Sequence, residues 1–154
     1  LLRLLKAPTQ NTTLDELRYS VRKRNALMID NTRGRRPDVA VIDRPATRQE
    51  DRQPGIRSVP RMIVEIASGN WSTDLVEKQE EYEALQVPEY WIVEHYRGRI
   101  PAKYCQRGKG KKVIVLTLAD GVYRKAEYLE GETVPCLTFP ELGLTVEQIL
   151  AAEE

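Results

Sequence analysis

Two carboxylates and a lysine stand where a plain structural element would not put them. Glu65 interrupts an apolar, β-branched run made of Met62, Ile63, Val64 and Ile66. An ionised carboxylate is seldom buried unless it is paired, hydrogen-bonded or bound to a metal. Asp38 stands at the start of a second such run, VAVI at 39–42. Lys78 belongs to the segment after the turn Ser68-Gly69-Asn70. At about 100° per residue, Leu75, Gln79, Tyr82, Leu85 and Gln86 fall on one helical arc, and Lys78 lies within it. An acid near a strand end and a lysine on the inner face of the next helix then point at each other, which requires either a structural ion pair or a reaction. Two carboxylates on adjacent strands can share a hard divalent cation such as magnesium, with the Ile66 carbonyl as a third oxygen. A lysine beside that cation can orient or deprotonate a water, or offset charge on a phosphate. A phosphodiester is the natural substrate, because cation and lysine oppose the charge that develops in its transition state.

The elements that must position these residues follow from pattern. Residues 37–43, PDVAVID, read as a central strand with Asp38, Ala40 and Ile42 on one side and Val39 and Val41 on the other. Residues 60–82 read as strand, turn and helix, with Asp74 and Glu77 as a capping box and the helix ending near Gln86, before Pro88. EYWIVEH at 89–95 is nearly continuous in apolar character and therefore an internal strand. Strand, helix and strand make a crossover, which predicts a parallel pair. Residues 113–118 and 122–129, joined by Ala119-Asp120-Gly121, predict a β-hairpin. Thr145 and Gln148 form a capping box that opens a final helix at 146–152. Upstream, Tyr19 and Val21 alternate with charged residues as in an exposed strand. Residues 1–6 resemble the end of an amphipathic helix, and 44–58 form a long polar loop of the kind that is functional or mobile.

With 154 residues the chain suits one domain around one core. No apolar run approaches the roughly 20 residues of a membrane span, and no signal peptide is visible, so a cytoplasmic location is expected. The two cysteines, Cys105 and Cys136, fit neither a disulfide framework nor a metal spacing, and the single histidine, His95, excludes a histidine-rich zinc site. The formal charge of +1 hides an asymmetry. Residues 1–61 carry 14 Lys+Arg against 7 Asp+Glu, a net +7, and residues 62–154 carry 10 against 16, a net −6. A basic half can attract a polyanion, or the halves can pack and cancel. The chain begins with Leu rather than Met, so part of the N-terminal end of the domain is expected to be missing.

Four stretches, RRPDVAVID (35–43), VEIASGNWSTDLVEKQEEY (64–82), VPEYWIVE (87–94) and FPELGLTVEQIL (139–150), resemble the Uma-two endonuclease branch of the PD-(D/E)XK nuclease superfamily. The resemblance implies a single α/β domain with a restriction-endonuclease-like mixed β-sheet flanked by helices, extended by the C-terminal hairpin and helix. It implies a magnesium-dependent endonuclease acting on DNA, with manganese as a substitute, and a homodimer for double-strand cleavage. Asp38, Glu65 and Lys78 match the catalytic positions, and Asp38, Glu65 and Ile66 the metal ligands. The superfamily pattern places its lysine two residues after the second acid; here that position is Ala67, and Lys78 stands on the following helix instead. Other branches carry a Gln and a Tyr on this helix, which Gln79 and Tyr82 match loosely. An acid on an N-terminal helix has poor candidates in Asp15 and Glu16.

Candidate DNA contacts are Arg33, Arg35 and Arg36, which adjoin Asp38, together with Ser68 and Tyr82. The basic loop 103–112 is a second candidate. Each residue also has a plainer reading. Asp38 can cap a turn. Glu65 can pair with Arg36 or Arg61. Lys78 can be a surface lysine paired with Asp74 or Glu81. Ser68 and Asp74 can be turn and cap residues. Trp71, Tyr90 and Trp91 read as core or dimer contacts rather than base-stacking platforms. The rival function is a catalytically inactive nucleic-acid-binding or assembly module on the same fold. A purely structural oligomer is a third possibility, and an arginine on Glu65 would favour it.

Overall fold

The structure is a computed structural model that describes residues 18–45, 49, 52, 54–67, 69–95 and 100–152. The candidates Ser68, Asp15 and Glu16 and the segment 1–6 lie outside the described residues.

Six strands form the central sheet: β1 (Tyr19–Lys23), β4 (Val39–Asp43), β5 (Met62–Ile66), β6 (Glu89–Glu94), β7 (Lys112–Ala119) and β8 (Val122–Leu129), adjacent in that order. Only β5 and β6 are parallel; every other neighbouring pair in the sheet is antiparallel. The crossover between β5 and β6 runs through a π-helical turn, Thr73–Glu77, and helix α1, Lys78–Ala84. This is the restriction-endonuclease-like mixed α/β arrangement. The hairpin of β7 and β8 is continuous with the sheet, and its Asp120-Gly121 corner has φ of 53° and 81°, the left-handed pair that a two-residue hairpin turn requires. Two short ribbons complete the strands among the described residues: β2 (Leu27–Met28) with β3 (Gly34–Arg35), and β9 (Thr133–Val134) with β10 (Leu144–Thr145).

Alternation along the strands divides the core into two faces. Val39, Val41, Val64, Trp91, Val93, Val113 and Val115 point to one side, where β9, β10 and helix α2 (Val146–Ala151) cover them through Val134, Leu144, Val146 and Ile149. Ala40, Ile42, Ile63, Tyr90, Ile92, Ile114 and Leu116 point to the other, where Leu75 and Tyr82 of the crossover cover them. Thr145 caps α2 with the capping box expected from sequence. Tyr90 and Trp91 are fully buried, so of the two readings, core or dimer contact, the structure has core.

The acid that fastens the first face was not foreseen. Glu89 is fully buried at the start of β6, on the same side as Trp91. Its carboxylate accepts from Trp91 Nε1 at 2.8 Å, Leu137 N at 3.0 Å, Thr138 N at 2.8 Å and the Thr138 hydroxyl at 2.7 Å. Four donors offset the desolvation of one carboxylate and bind the strand to the C-terminal segment.

Candidate active site

β4 and β5 run antiparallel with Val39 opposite Val64, which brings Asp38 and Glu65 side by side one residue further on. Asp38 Oδ2 accepts from the Ile66 backbone N–H at 2.9 Å, joining the two strand ends. Its Oδ1 lies 3.7 Å from Arg24 Nε, and a quarter of the side chain remains exposed. Asp38 thus makes the backbone bond expected of a turn-capping residue, but the bond crosses between strands and fixes the acid beside Glu65.

Glu65 is buried, with 2% of its surface exposed. Both of its oxygens are engaged: Oε1 accepts from the Tyr82 hydroxyl at 2.9 Å, and Oε2 lies 3.0 Å from Lys78 Nζ. The ammonium of Lys78, itself largely buried, also meets Asp74 Oδ1 at 2.7 Å. The inward position of Lys78 read from the helical arc is what the structure has. The alternative pairing of Glu65 with Arg36 or Arg61 is not; Arg61 instead binds Asp43.

Asp74 is the site residue that sequence reasoning assigned otherwise. As a capping residue it would sit exposed at the helix start. Instead the N-cap is Ser72, without a side-chain cap bond, and Asp74 is buried with 5% exposed. The backbone explains the difference. The Lys78 N–H reaches back five residues to the Thr73 carbonyl, a π-helical closure, and such widened turns are common at functional sites. Asp74 and Lys78, four residues apart, both turn inward. The Asp74 carbonyl in turn accepts from the Tyr90 hydroxyl at 2.9 Å, and Tyr90 packs edge-on against Tyr82 at 4.9 Å between ring centroids.

The electrostatics follow from burial opposed by pairing. Loss of solvent raises the Glu65 carboxyl to about 7 from 4.5; Lys78 and the Tyr82 hydroxyl restrain the rise, and Asp74 adds to it. Burial raises Asp74 also, against the pull of Lys78. Burial alone would lower Lys78, but Glu65 and Asp74 outweigh it and the net shift is upward. Desolvation and the Glu65 charge push the Tyr82 phenol upward, so it remains a donor. Two carboxylates, Glu65 and Asp74, face one lysine, and Asp38 stands beside Glu65 with Arg24 3.7 Å away. The hard oxygen donors of Asp38 and Glu65 fit a divalent ion of the magnesium class, and Ile66 adjoins both. Among the described residues no three His, Cys, Asp or Glu side chains form a ready-made metal cluster, consistent with Lys78 occupying one side of Glu65.

The candidate DNA contacts separate into two groups. Arg35 donates to Glu81 from Nε at 2.6 Å and from a terminal nitrogen at 2.9 Å, and also meets Glu77 at 3.3 Å. Arg33 pairs with Asp30 at 2.8 Å and lies 3.8 Å from Glu81. These two arginines tie the β2–β3 ribbon to α1, and Arg33 keeps about two thirds of its side chain exposed. Arg36 forms none of these pairs and is exposed. Tyr82 is fully buried, so its reading as a DNA contact is corrected: it positions Glu65.

No helix among the described residues is long and apolar enough to cross a membrane. No curated protein matches the chain. A family model, Uma2, described as "Putative restriction endonuclease", matches residues 1–147, and thus takes in the strands of both acids and the crossover helix and ends in the first turn of α2. By the extent of that match, the chain belongs to the Uma2 family, a family of the restriction-endonuclease type.

Proposed function

We propose that this chain is a magnesium-dependent endonuclease that hydrolyses DNA phosphodiester bonds, with manganese as a substitute and a homodimer as the working unit for cutting both strands. The observation that carries the reading is the constellation itself: Asp38 and Glu65 across β4 and β5, with Lys78 of the next helix 3.0 Å from Glu65. Asp38, Glu65 and the Ile66 carbonyl would hold the divalent cation. When bound, that cation would polarise the scissile phosphate and lower the pKa of a water.

The protein's own groups have separable roles. Lys78, kept charged by Asp74 and Glu65, would orient the attacking water and oppose charge on the phosphate. Asp74 would keep Lys78 in place whether or not Glu65 also holds a cation, since its 2.7 Å contact does not depend on Glu65. Tyr82 would hold Glu65 in one rotamer through Oε1. Arg36, exposed beside Asp38, would meet a phosphate next to the scissile one.

The closed Glu65–Lys78–Asp74 pairing also suits the rival reading, in which the ion pairs only hold the fold and the chain is a nucleic-acid-binding or assembly module. The discriminating experiment is cleavage of supercoiled plasmid and short duplexes with magnesium or manganese, beside Glu65→Ala and Lys78→Ala. Parent activity with folded variants at least about a hundredfold slower supports the enzyme. Variants as active as the parent overturn the site, and a folded parent that neither cuts nor binds magnesium or manganese overturns the enzyme.

A further inference from the structure

We infer that the segment 100–111 is a phosphate-contacting surface for duplex DNA, formed by Lys103, Lys109 and Lys111 and fixed beside the candidate active site by a second buried ionic network. The choice of DNA rests on the proposed nuclease reading; the placement of the surface rests on the network.

That network is the Lys112–Glu127 pair of β7 and β8, 0% and 5% exposed, with Glu94 of β6, 1% exposed, opposite Lys112 in the sheet. Lys112 Nζ lies 3.1 Å from Glu127 Oε2, and Lys125 Nζ lies 3.7 Å from Glu127 Oε1. Taking ions out of water costs several kcal/mol each, and apolar side chains of similar volume often serve stability as well. What these groups hold gives their use. Glu94 accepts from the Ile100 N–H at 3.2 Å, and Glu127 from the N–H groups of Gln106 at 2.7 Å and Arg107 at 3.0 Å. Lys112 donates to the Gly108 carbonyl, and Lys125 to the Tyr104 carbonyl at 2.6 Å. Buried charges from three strands thus hold five backbone groups of one loop.

The same register brings the loop to the site. Glu65 is opposite Ile92 on β6; Glu94, two residues further, shares that face, and Lys112 is opposite Glu94. Tyr104 packs on Trp71 at 5.0 Å between centroids, and Trp71 is three residues ahead of Asp74. The loop therefore abuts the turn that carries Asp74 and Lys78.

Its outward charge is positive and uncompensated. Lys103 and Lys109 are exposed and Lys111 is half-buried, and among the described residues none of the three has a carboxylate partner. Lys103 lies over the Tyr104 ring at 4.8 Å, which fixes its direction. Arg107, by contrast, is balanced by Glu132. A loop tied down by these bonds, with three ammonium groups that lack a carboxylate partner among the described residues, matches the spaced negative charges of a duplex backbone.

The test is binding of a fluorescein-labelled duplex in EDTA, where nothing is cut, by the parent and by a triple variant carrying Lys103→Gln, Lys109→Gln and Lys111→Gln. Expected is a loss of at least about tenfold in affinity and a slope of log K against log salt shallower by roughly 3. Arg124→Gln, on the far face of β8, should leave both unchanged. Equal affinity and slope in the triple variant, or a parent that binds no duplex, would overturn the surface. Plasmid cleavage by the parent reports on the nuclease reading separately: a parent that binds through these lysines but never cuts keeps the surface and loses the enzyme.

Discussion

Glu65→Gln should stabilise the metal-free protein relative to the parent at alkaline pH and much less so in acid. The sign comes from linkage. The Glu65 carboxyl stands at about 7 in the fold against 4.5 as the ordinary value, so between these limits the native state holds a proton that the unfolded state has lost. Its contribution to stability is complete below about 4.5 and disappears as pH rises through 7. The gap between 4.5 and about 7, at about 1.4 kcal/mol for each tenfold change in proton activity, gives roughly 3 kcal/mol. Glutamine does not titrate. Any penalty of the amide beside Lys78 is constant over the range, because Lys78 is shifted upward and Asp74 still holds it. The assay is urea unfolding in EDTA at about pH 4.5, 6 and 8, with stability extrapolated to water for both proteins. The difference, variant minus parent, should grow by about 3 kcal/mol from the lowest pH to the highest. Saturating magnesium should shrink it by stabilising only the parent. Parallel curves would refute the argument, since they would mean that Glu65 ionises in the fold as it does in water.

Four further outcomes are expected. Asp74→Asn should slow plasmid cleavage by about tenfold or more at saturating metal while the metal affinity changes little, because Lys78 loses its holder and the proposed ligands stay; kinetics beside calorimetric metal titration check this. Tyr82→Phe should lower stability by about 1–2 kcal/mol, since Glu65 loses its hydroxyl donor inside the core, and should move the loss of stability that accompanies rising pH near 7 to higher pH. Glu89→Ala should cost about 3 kcal/mol and lower Tm by roughly 6–12 °C in calorimetry, because the donors of Trp91, Leu137 and Thr138 lose one acceptor together. Arg36→Ala should weaken duplex binding without changing Tm, whereas Arg35→Ala should destabilise by about 1 kcal/mol and leave the salt slope unchanged.

How much of this was legible depended on whether the signal was local. Alternation at 39–43 and 62–66 gave the strands, the Pro88 stop and the apolar 89–95 gave the parallel crossover, and Asp120-Gly121 gave the hairpin corner. The inward Lys78 was legible from a helical arc and needed no partner. Asp74 was not, because D-x-x-E before an apolar run is also the signature of a cap. The available signal was its spacing: a residue four before an inward lysine lies on nearly the same arc. Arg33 and Arg35 resembled free cations because Glu81 is more than 40 residues from Arg35 in sequence and nothing local points to it. Glu89, Glu94 and Glu127 gave no local signal for the same reason, and Lys112, read as part of the basic loop 103–112, is instead fully buried on Glu127: their partners are on other strands or in the loop.

The three acids and one lysine explain why the candidate site can be ordered before any cation arrives. Asp38, Glu65 and Asp74 pushed together out of water would repel one another, and Asp74 indeed feels Asp38 as a rise in its pKa. Lys78 resolves the repulsion by standing between Glu65 and Asp74, and the proton that Glu65 retains near neutrality removes more of it. A divalent cation would make both devices redundant: it would release the proton from Glu65 and free that side of Lys78 while leaving Asp74 bound. Binding should therefore weaken as pH falls below 7, approaching about tenfold per pH unit for one released proton. Manganese titrations at about pH 6 and 8 would read this directly, and an affinity independent of pH would mean that the cation does not take Glu65.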